Sequence, residues 1–137
     1  FYILIGLKMA TDGVLRGASG GGVAVAAGRA ARLAIIVAPL VRGRIPTLVE
    51  QVTTCVTPGS SIDILVTDHG IAVNPARPEL AQRLREAGLE VVSIDWLRAR
   101  ALQLTGEPQP IAFTDKVVAV VRYRDGSVID VVHQVAE

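Results

Sequence analysis

Three places in the sequence carry side chains suited to chemistry. The first is a glycine-rich loop in which Gly17-Ala18-Ser19-Gly20-Gly21 fits G-x-S-x-G, the strand-to-helix elbow that exposes a nucleophilic serine. Such an elbow follows a strong strand, and only Val14 and Leu15 stand before it. The histidines open to it as bases are His69 and His133, the second inside a valine-rich terminal stretch. A backbone loop that lets a ligand approach closely at Gly20 and Gly21 is the stronger reading. The same glycines fit neither G-x-G-x-x-G nor the P-loop, which needs Gly-Lys followed by Ser or Thr.

The second place is Arg42 and Arg44. Guanidinium groups grip carboxylates and phosphates through two hydrogen bonds, so a pair on one short loop suits a tricarboxylate or a phosphate-bearing thioester. On extended backbone, residues two apart share a side, and Gly43 and Pro46 exclude a regular helix. Surface or interface ion pairing is the competing use. The third place is Asp68-His69 at the end of an apolar run. Neighbours on extended backbone point oppositely, so these two do not make an Asp-His dyad by themselves. Contact with substrate and bonding to nearby backbone stay open for both.

The remaining composition narrows the class. Cys55 is the only cysteine, which excludes an internal disulfide or a cysteine-rich zinc site, suits a reducing compartment, and reads as a small buried apolar residue. No metal site is expected. The 14 Lys and Arg balance 13 Asp and Glu and are spread along the chain, which argues against nucleic acid as a partner. The longest apolar run, Leu33 to Val41, is broken by Pro39 and reaches about half the length needed to cross a bilayer, so no membrane span is expected. Phe1 to Leu7 lacks the basic flank and cleavage site of a secretory signal. The absence of an initiating Met suggests a start inside a longer protein.

Half of the 137 residues are hydrophobic and 4% aromatic, the profile of an α/β core built from Val, Ile, Leu and Ala. Phe1 to Leu7 reads as a buried strand and Ala24 to Ala31 as a weak helix. Leu33 to Ala38 reads as a central strand covered on both faces, Ile62 to Thr67 as a second core strand, and Ile71 to Val73 as a short third. Such sheets place ligands beyond the carboxyl ends of their strands. Pro78 opens a helix striped by Leu80, Leu84 and Ala87 and closed by Gly88, Leu89 to Ser93 is strand-like, and Trp96 to Leu104 is a helix with Trp96 on its packed stripe. Beyond Gly106, Lys116 to Tyr123 and Ser127 to Gln134 flank Arg124-Asp125-Gly126 as a β-hairpin. The boundary therefore falls between an α/β body over 1–106 and an appended hairpin over 107–137.

Three long stretches carry a family resemblance: LAIIVAPLVRGRIPT from Leu33 to Thr47, TPGSSIDILVTDHGIAVNP from Thr57 to Pro75, and FTDKVVAVVRYRDGSVIDVV from Phe113 to Val132. With Asp12 to Gly21 they resemble the citrate lyase alpha subunit. The resemblance implies a CoA-transferase-like (NagB/RpiA/CoA-transferase-like) α/β fold, of which this would be the later part of the second half. It implies exchange of acetyl for citryl on an acyl carrier protein, with citrate and acetate as substrate and product. The implied partners are the beta (lyase) subunit and the gamma acyl carrier protein, in a cytoplasmic oligomer. The dephospho-coenzyme A-derived prosthetic group would sit on the carrier protein, with no cofactor on this chain. Gly20, Gly21, Arg42, Arg44, Asp68 and His69 are the substrate-binding candidates; no catalytic residue is assigned. One departure stands out: Gly22, Ala24 and Val25 occupy positions where the family carries His, Asp and Thr. That leaves a non-catalytic assembly role and, more remotely, a serine hydrolase using Ser19 beside the transferase reading.

Overall fold

The structure is a computed structural model and describes residues 32–56, 59–123 and 125–136. The glycine loop with Ser19, Gly20 and Gly21, the expected strand Phe1 to Leu7, the Ala24 to Ala31 helix and the substituted positions Gly22, Ala24 and Val25 lie outside those residues.

The described chain is mixed α/β. A four-stranded sheet has the order β1-β4-β5-β6, formed by Ile35–Val37, Ile64–Thr67, Gly70–Val73 and Val91–Val92. β1 runs parallel to β4, β4 antiparallel to β5, and β5 parallel to β6. Between β1 and β4 lies a small hairpin of β2 (Val41–Arg42) and β3 (Ile45–Pro46). Helix α1 spans Pro78–Glu86 and helix α2 spans Ile94–Thr105, and a separate hairpin of β7 (Phe113–Arg122) and β8 (Val128–Val135) follows.

Local chemistry accounts for the helix ends. Pro78 stands at the start of α1, where its missing N–H costs nothing. At the other end Gly88 N–H donates to the Arg85 carbonyl and Leu89 N–H to the Leu84 carbonyl, the paired bonds of a Schellman motif. Ser93 Oγ accepts from Trp96 N–H and caps α2. The core joins Leu65 and Ala72 of the sheet to Leu97 and Ala101 of α2 and to Leu40 and Leu48, which flank the small hairpin.

Three expectations are corrected. Among the described residues Leu33 to Ala38 is an edge and not a central strand: β1 has β4 on one side and no described strand on the other, and Ile35 and Val37 are 50% and 77% exposed. An apolar run states what surface calls for cover, not which neighbour supplies it. Trp96 is 49% exposed rather than packed, because the buried stripe of α2 runs through Leu97 and Ala101, one position and about 100° further round. Cys55, expected to be buried, is partly exposed.

A carboxylate fixes where β1 meets β4. Asp63 is buried; one oxygen accepts the Ala34 N–H at 2.8 Å, and the other pairs with Arg77 at 3.0 Å. Asp63→Ala leaves a buried N–H without its acceptor and is expected to destabilise the chain by about 1–3 kcal/mol. Arg77→Ala, on a side chain 42% exposed, is expected to cost under about 1 kcal/mol. Urea melts of both would check this, and equal losses would contradict it. In the terminal hairpin Gly126 has φ +87°, its N–H donates to the Tyr123 carbonyl, and open space surrounds the place of a Cβ. Gly126→Val is therefore expected to cost about 1 kcal/mol or more through backbone strain alone. An unchanged Tm would contradict the left-handed turn.

Candidate functional site

Because β1 and β4 are parallel, their carboxyl ends lie at one edge of the sheet, and each leads directly into one of the candidate loops. Val37 pairs with Val66, and Ala38 N–H donates to the Val66 carbonyl at 3.0 Å, carrying the ladder one step past β1. Beyond β1 the chain enters the hairpin bearing Arg42 and Arg44. Beyond β4 it enters the turn bearing Asp68 and His69. Two segments that begin 28 residues apart are thereby brought together, and Leu40 N–H donates to Asp68 Oδ1 at 2.7 Å.

The arginine segment is not the extended loop that the spacing implied. Arg42 is opposite Ile45 in an antiparallel pair, so Gly43 and Arg44 form a two-residue connection. Gly43 has φ +61°, the positive value that the tight primed turns of β-hairpins require, and this conformation folds the segment back on itself. Arg42 therefore sits on a strand and Arg44 in the turn, and the rule that residues two apart share a side does not apply. Both are exposed.

The base of this hairpin is tightly held. Thr47 N–H donates to the Leu40 carbonyl at 2.9 Å, and the Thr47 hydroxyl donates to the Pro39 carbonyl at 2.5 Å. Leu40, Thr47 and Leu48 are all but completely buried, and α2 packs against both β2 and β3. Thr47 had no signal in the sequence, since its partner Pro39 is eight residues away and only the closed hairpin brings them together.

Asp68 and His69 are the two connecting residues of the β4–β5 hairpin, whose last pair is Thr67 with Gly70. Thr67 organises the turn: its hydroxyl donates to the Gly70 carbonyl at 2.9 Å and accepts the His69 N–H at 3.1 Å. His69 Nε2 is 4.0 Å from Asp68 Oδ2, too far for a hydrogen bond, so the two do not form a dyad. Both side chains are partly open to solvent. His133 lies in the terminal hairpin, with Nδ1 3.1 Å from the Thr114 carbonyl. No cluster of three or more potential metal ligands occurs among the described residues. No helix there is long and apolar enough to cross a membrane.

This edge brings together loops that bear two arginines, a histidine and a backbone-anchored carboxylate beyond parallel strands, and guanidinium groups are chemically suited to anions. Known proteins bear on the family. The family model for citrate lyase, alpha subunit, matches residues 4–135. The citrate lyase alpha chain of Escherichia coli (strain K12) is 79% identical over 127 residues, covering 93% of this chain and 24% of that one. Its counterpart from Klebsiella pneumoniae is 64% identical over 131 residues, covering 96% of this chain and 25% of that one. A solved structure from Streptococcus mutans, presented as a citrate lyase alpha subunit in complex with citrate, superposes with a TM-score of 0.83 at 47% identity, covering 92% of this chain and 24% of that one. The chain thus spans about a quarter of the length of the curated relatives it matches. On this agreement in sequence and structure, the chain belongs to the citrate lyase alpha subunit family.

Proposed function

We propose that this chain, as part of a citrate lyase alpha subunit, serves in the exchange of acetate for citrate on the thioester of an acyl carrier protein, giving citryl-carrier protein and acetate. The observation that carries the proposal is the gathering of the Arg42–Arg44 hairpin and the Asp68–His69 turn at one carboxyl edge of the sheet, in a chain whose relative was solved with citrate. On this reading the whole subunit has a CoA-transferase-like fold and works in the cytoplasm within an oligomer. Its partners are a lyase (beta) subunit and a carrier protein (gamma) bearing the dephospho-coenzyme A-derived group.

The chemistry needs little driving force, because one thioester replaces another. A citrate carboxylate oxygen bonds to the acetyl carbon and the carrier thiolate leaves, forming a mixed anhydride. The thiolate then bonds to the citryl carbon and acetate departs, so no net proton is consumed. What the protein must supply is alignment of a carboxylate with an acyl carbon and countercharge for the oxyanions. Arg42 and Arg44 supply positive charge and planar paired donors for that role. His69 and the Gly20-Gly21 loop are the further candidates for contact with substrate.

Arg42→Ala or Arg44→Ala in the full-length subunit is expected to weaken use of citrate or carrier thioester by roughly tenfold to hundredfold, the equivalent of about 1.5–3 kcal/mol for a lost charge-assisted bond. Steady-state kinetics with circular dichroism as folding control would test it. Unchanged kinetics in both variants would reassign the pair to surface or interface contacts. The 137-residue chain alone, a quarter of its relatives' length, is expected not to form citryl-carrier protein. Turnover by the purified chain would overturn that expectation.

A further inference from the structure

We propose that Asp68 is a positioning residue for the arginine hairpin, acting through the Leu40 N–H rather than through its charge on the substrate. The inference rests on the reading of Arg42 and Arg44 as substrate contacts and adds to it a residue that governs where they stand. Asp68 Oδ1 accepts the Leu40 N–H at 2.7 Å, and Leu40 is the last residue before β2. The Leu40 carbonyl in turn accepts the Thr47 N–H at 2.9 Å, from the first residue after β3. Both peptide groups of Leu40 are thus used, one to tie the hairpin to the β4–β5 turn and the other to close its base. The Leu40 side chain is fully buried in the core with Leu48, Leu97 and Ala101. The hairpin tip, from Arg42 to Ile45, is exposed. Leu40 is where the hairpin joins the sheet edge, and Asp68 is the side chain from the neighbouring loop that bonds to it there.

The role asks for a hydrogen-bond acceptor at Oδ1, not for a negative charge. Asparagine offers the same carbonyl oxygen at the same reach, whereas alanine offers none. That difference separates positioning from a direct electrostatic or acid–base role, which asparagine would lose as completely as alanine.

The test uses the full-length subunit with its carrier protein and four variants: Asp68→Asn, Asp68→Ala, Arg44→Ala, and Asp68→Ala with Arg44→Ala. Citrate KM and kcat are measured together with amide hydrogen exchange in the peptide covering 40–47. Asp68→Ala is expected to raise KM about tenfold with kcat within about twofold, as loss of a binding arrangement should, and to speed exchange over 40–47 at least tenfold. Asp68→Asn is expected to stay within about threefold of the parent KM and to keep exchange slow. The double variant is expected to be no worse than Arg44→Ala, because two changes acting through one contact do not multiply. An Asp68→Asn enzyme as impaired as Asp68→Ala while exchange over 40–47 stays slow would overturn the proposal, as would multiplicative losses in the double variant. Should Asp68→Ala not fold, the asparagine variant decides by the same two readouts. If Arg44→Ala and Arg42→Ala both leave the kinetics unchanged, the arginine reading fails by itself; parent-like exchange in Asp68→Ala would then overturn the anchoring as well, and fast exchange there with rescue in Asp68→Asn would sustain it.

Discussion

A three-residue parallel pairing, Ile35–Val37 against Ile64–Val66, carries the candidate site, and two aspartates hold it at both ends. Parallel pairs gain slightly less per residue than antiparallel ones, and they need a long connection whose ordering opposes the pairing. Asp63 immediately precedes β4 and accepts the N–H of Ala34, which immediately precedes β1. Asp68 immediately follows β4 and accepts the N–H of Leu40, three residues beyond β1. Each carboxylate thus extends the pairing of the same two segments by a side-chain-to-backbone hydrogen bond. The first is buried and supported by Arg77; the second lies where the loops open to solvent. Shifting β1 along β4 would break both bonds at once, so register and loop placement are fixed together.

How much of this could be read from residue order depended on the range of each interaction. β4, β5, the hairpin β7–β8 and the helix opened by Pro78 were legible, because Pro, Gly and strings of Val and Ile act within a few residues of themselves. The arginine segment was legible only in part. Gly43 excludes helix, but spacing alone does not give the consequence of its positive φ, a reversal that places Arg42 on a strand and Arg44 in a turn. Asp68 shows the harder limit. Its two local possibilities, substrate contact and nearby backbone, left out a backbone group 28 residues away that only the pairing of β1 with β4 delivers. The same holds for Asp63 and Ala34, 29 residues apart.

The terminal hairpin poses a different physical problem. A two-stranded ribbon alone in water is marginally stable, and this one is long and valine-rich. Among the described residues two bonds tie it to the body: Cys55 N–H donates to Asp130 Oδ2 at 2.6 Å, and the Thr54 hydroxyl donates to the Val131 carbonyl at 3.4 Å. Val121 stands opposite Asp130, and Ala119 and Val121 are partly buried where Val118 and Val120, which alternate with them, are exposed. That alternation marks the strand's two faces, one turned towards the Thr54–Cys55 segment and one left open. The segment that receives the ribbon lies between the arginine hairpin and β4. The order of the chain therefore sets the sheet edge and the ribbon's anchorage on the same connection, between the arginine hairpin and β4.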